Sequence, residues 1–114
     1  MKIYIAGPMR GYPEFNFHAF FKAEEYLHYA CLSDGDDKIF NPAKMDLERG
    51  LDVTGLKGDL SELPDFDHRA TMKECMIAIT ECTHIYMLKG WEHSTGARAE
   101  HALAVCLGLE VIYE

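Results

Sequence analysis

No two of the four cysteines in this 114-residue chain form a CxxC pair; Cys31, Cys75, Cys82 and Cys106 are widely spaced, and three of them fall inside apolar helical patterns. Thiolate zinc sites need close ligand pairs, so buried free thiols are the expected state. Histidine offers no substitute. His68, His84, His93 and His101 lack the HxH or HxxxH spacing that would set two imidazoles on one face. Neither a metal nor another cofactor is expected. Basic residues are also scarce, 11 against 19 acidic ones for a formal charge of −8, which opposes a surface that tracks polymeric nucleic acid. A small anion remains a suitable ligand where positive potential is local. Long apolar runs are missing, and "MKIYIAGPM" is broken at Gly7 and Pro8 too early for a signal peptide. The expected location is therefore the cytoplasm, away from membranes. Internal repeats and low-complexity segments are absent as well.

What is present is the composition of an ordinary globular domain, 48% hydrophobic and 26% charged, of a length that encloses one core, so residues 1–114 are read as one domain. "KIYIA" is a short strand ending in glycine. "GPMRGYPEFN" is a loop, and Phe15, Phe17, Phe20, Phe21, Ala23, Tyr26, Leu27 and Ala30 then follow at helical spacing. "SDGDD" (33–37) is a turn, and "KIFNP" a second strand stopped by Pro42. Residues 43–66 are rich in glycine and acidic side chains and show no period; they read as a long loop, either a lid over a binding site or a tolerated insertion. A helix is expected over 68–81, a strand over 84–88, a loop over 89–94, a helix over 95–107 terminated by Gly108, and a last strand over 109–113. Strands alternating with helices imply an open, mostly parallel sheet covered on both faces. Ligands bind such sheets beyond the carboxyl ends of the strands, which points to "AGPMRGY", the loop after Asn41, and "KGWEHSTG".

Three of these segments carry candidate chemistry. In the first loop Gly7 and Gly11 permit close backbone approach, and Arg10 offers a planar fork for phosphate or carboxylate, or is simply a solvated arginine on a turn. Ser94 is a helix N-cap, and Gly96 leaves the first-turn amides unobstructed beside the same rim, which suits an anion. Trp91 is either a flat wall for a base or a plug in the core. Glu100 aligns with Gly96, Leu103, Ala104 and Leu107 on an apolar helical stripe. It is either a desolvated acid at a pocket floor, suited to nucleophilic or general-base work, or a solvated side chain near Arg98 and His101 on a rotated stripe. Tyr4 shares a strand face with Ala6 and either packs in the core or reaches that carboxylate.

Taken together, "YIAGPMRGYPEFN", "FNP" and "GWEHSTGARAEHALAVCLG" resemble the nucleoside 2-deoxyribosyltransferase-like superfamily, in particular its small phage and bacterial branch close to the 2'-deoxynucleoside 5'-monophosphate N-glycosidases. The similarity runs through nearly the whole chain and is weakest over 43–66. It implies an α/β flavodoxin- or Rossmann-like three-layer sandwich with a mostly parallel sheet of four to five strands, a homodimer or larger homo-oligomer, and cleavage or transfer at the N-glycosidic bond of a deoxynucleotide or deoxynucleoside. Glu100 matches the glutamate nucleophile and Tyr4 the tyrosine that orients it. Gly7, Met9, Arg10 and Gly11 match the loop lining sugar and phosphate, while Ser94 and Gly96 match the phosphate-binding turn. A carboxylate beneath C1' suits this chemistry on independent grounds, because it stabilises and then traps the oxocarbenium-like sugar.

One departure stands out. Where relatives carry two aspartates this chain has Cys75 and Thr83. Glu74, Asp65 and Asp67 are the replacement candidates for the acid that protonates the base. The alternative is a non-catalytic nucleotide-binding or sensing module. A flavodoxin-like flavin binder is disfavoured, because the first loop has no Ser/Thr-rich phosphate cradle.

Overall fold

The computed structural model describes residues 1–31 and 35–114; the start of the expected turn over 33–37 lies outside them. Four strands, β1 (Lys2–Ala6), β2 (Lys38–Phe40), β3 (His84–Met87) and β4 (Glu110–Tyr113), form one sheet in the order β2-β1-β3-β4. Every neighbouring pair is parallel. Four α-helices supply the crossovers: α1 (Phe17–Ala30), α2 (Pro42–Glu48), α3 (His68–Thr80) and α4 (Thr95–Leu107). The result is the α/β three-layer architecture that the alternating pattern required.

The period-two alternation of β1 divides the core. Ile3 and Ile5 point to one face, where Phe17, Phe20, Ala23 and Leu27 of α1 cover them. Tyr4 and Ala6 point to the other, against Cys75, Ala78 and Ile79 of α3 and Ala104 of α4. Burying each of the larger apolar side chains contributes about 1.5–3 kcal/mol. Tyr26, expected on the buried face of α1, is 56% exposed instead. Of the four cysteines, all of them free, Cys75 and Cys82 are buried as expected, whereas Cys31 is half-buried and Cys106 points outward from α4.

The long loop expected over 43–66 needs correction. Pro42 does more than stop β2: it opens α2 at the position where its missing N–H costs nothing, and the Asn41 side chain caps the helix by accepting from the amides of Ala43 (3.0 Å) and Lys44 (3.4 Å). Two helical turns are too short to display a period. The remainder is pinned rather than loose. Gly11 N–H donates to the Gly58 carbonyl (2.9 Å), Glu14 N–H to Leu56 (2.7 Å), and Gly55 N–H to the Glu14 carboxylate (2.7 Å). At Gly58, with φ +95, a Cβ would lie 2.7 Å from the Tyr12 nitrogen, so only glycine allows the two segments to meet so closely. The opposing turn holds Glu14, Phe15 and Asn16 in left-handed conformations (φ 51, 54 and 65), which costs on the order of 1 kcal/mol or more at each residue. The hydrogen bonds to 55–56 offset that cost.

Candidate functional site

A cavity of about 450 Å³ opens beyond the carboxyl ends of β1, β2 and β3. Its walls come from the loop after β1 (Gly7, Met9, Arg10), from α2, from the pinned segment (Leu51, Leu60, Leu63), from α3, and from the turn and first coils of α4. Glu100 lines it yet is only 7% exposed. Tyr4, fully buried, donates a short hydrogen bond from its phenol to Glu100 Oε2. Of the two readings left open by the sequence, the desolvated acid is therefore the correct one, and Tyr4 reaches it from the adjoining strand. The buried stripe of α4 runs through Ala97, Glu100 and Ala104; Leu107, expected on it, is 48% exposed. Burial pushes the Glu100 carboxyl up to about 7, and the Tyr4 hydrogen bond opposes part of that rise. The Tyr4 phenol is itself raised, first by burial and then by the charge of Glu100.

The rim carries the positive potential. Ser94 caps α4 by accepting from the Ala97 amide (3.2 Å), and the helix begins at Thr95 with its first amides at the cavity wall. Arg10 is exposed and lines the same cavity. It faces His68, whose imidazole is held below its ordinary value by partial burial and by that guanidinium. His68 was singled out in the sequence only as a non-ligand; as the first residue of a capped helix bordering the loop, it had no local signature of a rim residue.

Several expected residues lie elsewhere. Trp91 does not line the cavity: it stacks on His101 (4.3 Å between ring centres) and tilts against Tyr113 of β4, so the packing alternative is correct and the base-wall reading is withdrawn. Gly11 also stands back, anchoring the Gly58 carbonyl. None of the three candidate acids borders the cavity. Glu74 is exposed and ion-paired with Arg49, Asp67 caps α3 through the Ala70 amide (3.0 Å), and Asp65 lines a neighbouring groove with both of them. The reason is helical geometry. Cys75 occupies the inward stripe of α3, and its sequence neighbour Glu74 is rotated about 100° away from it.

A carboxyl that the sequence did not flag does line the cavity. Asp46 of α2 is 5% exposed, borders both the cavity and the groove, and has burial pushing it up to about 6 against the pull of Arg49, 3.8 Å away. Its signal was the one that marked Glu100, an acid on the buried face of a helix, three residues after Ala43. It went unread because α2 itself was not recognised. The Cys75 thiol is driven to about 11 by burial first, then by the charge of Glu100 and, more weakly, that of Asp46.

These features define an α/β protein whose parallel sheet ends in a cavity holding a buried, hydrogen-bonded carboxylic acid beneath a cationic rim. The chain belongs to the family described as a domain of unknown function, DUF4406, whose model matches residues 1–113. No curated protein and no solved structure matches it significantly. Among the described residues no helix is long and apolar enough to cross a membrane.

Proposed function

We propose that this protein, acting as a cytoplasmic homo-oligomer, cleaves or transfers at the N-glycosidic bond of a 2'-deoxynucleoside 5'-monophosphate, with Glu100 as the nucleophile. The observation that carries the reading is the Glu100 carboxyl itself, removed from water, oriented by Tyr4, and set in a cavity of nucleotide dimensions. A stability role does not account for it, since a buried acid without an ion-pair partner costs more than the apolar residue that would fit α4. Arg10 and the first amides of α4 receive the 5'-phosphate at the rim. The sugar lies between them and Glu100, with C1' above the carboxylate. As the base departs, positive charge grows on the sugar, and the ionised Glu100 stabilises it and then bonds to C1'. Tyr4 holds the attacking carboxylate in line and shares its charge until the ester forms. Water, or a second base, attacks C1' and frees the glutamate.

The test is release of free base from deoxynucleoside monophosphates, followed by chromatography, together with mass spectrometry of acid-quenched protein. A deoxyribose-phosphate adduct on the peptide carrying Glu100, and loss of release in Glu100→Ala, are the expected results. The rival reading, a module that binds nucleotide without turning it over, draws on the outward placement of Glu74, Asp65 and Asp67. Binding of these nucleotides with no base released from any of them favours it.

A further inference from the structure

We propose that Asp46 is the general acid that hands a proton to the departing base and later takes one from the attacking water, an inference that rests on the N-glycosidase reading above. Among the described residues, Asn41, Asp46 and Glu100 are the buried polar side chains. Asn41 is explained as the cap of α2, and Glu100 as the nucleophile. Asp46 has no structural task of that kind. Its helix is capped at the N-terminus by Asn41, and its one ion-pair partner, Arg49, is an exposed side chain that also pairs with Glu74. An alanine or leucine would fill the same face of α2 without the desolvation cost.

Placement gives the acid its role. Asp46 follows β2 and Glu100 follows β3, and β1 lies between those strands, so the two carboxyls enter one cavity from either side of the β1 end. The Cys75 thiol lies within electrostatic reach of both. A sugar attacked by Glu100 holds its base on the opposite face of C1', which is where a proton donor must stand. Burial raises both carboxyls, Asp46 to about 6 and Glu100 to about 7. Between those values the predominant singly protonated form has its proton on Glu100; the working form, with the proton on Asp46 and Glu100 ionised, is the minor one, and turnover draws on that fraction.

The step balances as follows. The C1'–N bond breaks with its electron pair passing to the base, the Asp46 carboxyl proton moves to the base, and a Glu100 oxygen bonds to C1'. Water then bonds to C1', the ester bond returns its pair to Glu100, and the proton from water goes to the Asp46 carboxylate. Both carboxyl groups end as they began.

The experiment uses the full chain and two substrates: the common deoxynucleoside monophosphate that wild type accepts best, and a version of it with an activated base. N7-methylation of a purine allows the base to leave as a neutral molecule without a proton; 5-fluorination of a pyrimidine reduces its need for one. Asp46→Asn is expected to lose about 100-fold or more of base release from the common substrate and less than about 5-fold from the activated one, in line with the size of general-acid effects. Asp46→Glu, tested alongside, should recover part of the loss on the common substrate alone, while Glu100→Gln should lose both reactions. Retained turnover of the activated substrate also shows that the variant is folded. If Asp46→Asn slows both substrates equally, or neither, Asp46 is not the acid. If wild type releases base from neither substrate, the glycosidase reading itself fails and this inference falls with it.

Discussion

Replacing Glu100 with glutamine should make the protein gain stability relative to wild type as the buffer is taken from acid to alkaline. The carboxyl is raised from 4.5 to about 7, chiefly by burial. Between those values the folded chain binds more protons than the unfolded one, so wild-type stability falls as pH rises through the window, and the loss is complete above about 7. At about 1.4 kcal/mol per unit the effect amounts to about 3 kcal/mol, most of it between about pH 5 and about pH 8. Glutamine does not titrate. Its oxygen can still accept from Tyr4, and any fixed cost of placing its amide there is the same at both pH values. The quantity to measure is therefore a difference of differences: urea unfolding of wild type and Glu100→Gln near pH 5 and near pH 8. Asp46 titrates in both proteins and largely cancels. The variant should gain about 2.5 kcal/mol relative to wild type on going from the lower pH to the higher. A relative stability that stays within about 0.5 kcal/mol at the two pH values would mean that Glu100 is hydrated and ordinary, and the case for a poised nucleophile would be lost with it.

Other consequences are open to simpler measurements. Base release should follow a narrow bell in pH, with limbs set by the carboxyl pair at about 6 and about 7; a plateau extending well above neutrality would contradict the paired assignment. Tyr4→Phe removes the hydrogen bond that holds Glu100 down, so the limb belonging to Glu100 should move to higher pH while turnover near neutrality drops about tenfold or more. A lower rate with the limb unmoved would assign Tyr4 to packing alone. Gly58→Ala places a Cβ at φ +95 against the Tyr12 backbone and should cost about 2 kcal/mol or more while loosening the wall over the cavity; an unchanged denaturation midpoint would show that 55–58 is not docked on 11–14. Alkylation of the native protein should label exposed Cys106 first, with Cys75 and Cys82, both buried and both raised to about 11, reacting only as the chain unfolds. Mass mapping of the labelled peptides gives the order directly, and early modification of Cys75 would contradict its placement beside Tyr4.

The parts of this molecule that were legible in the sequence are those specified by signals within one element. The strand at Lys2–Ala6, the cap at Ser94, the helix Thr95–Leu107 and its left-handed stop at Gly108 each follow from a period or a terminal residue a few positions away. Glu100 was readable for the same reason, since an acid on an apolar stripe is visible from spacing alone. Trp91 was not, because its neighbours His101 and Tyr113 come from a helix and a strand further along the chain. The candidate acids are the most informative case. Glu74, offered alongside Asp65 and Asp67, adjoins Cys75 in sequence, yet adjacency on a helix rotates a side chain off the face its neighbour occupies. A group that acts in place of an inward-facing residue must therefore come from another element packed toward the same space. Here that element is α2, and its two turns left only the Asn41–Pro42 start signal to betray it. Once that helix is drawn, Asp46 falls on its buried side with Ala43 and beside the same cavity as Glu100, which Glu74, Asp65 and Asp67 do not border.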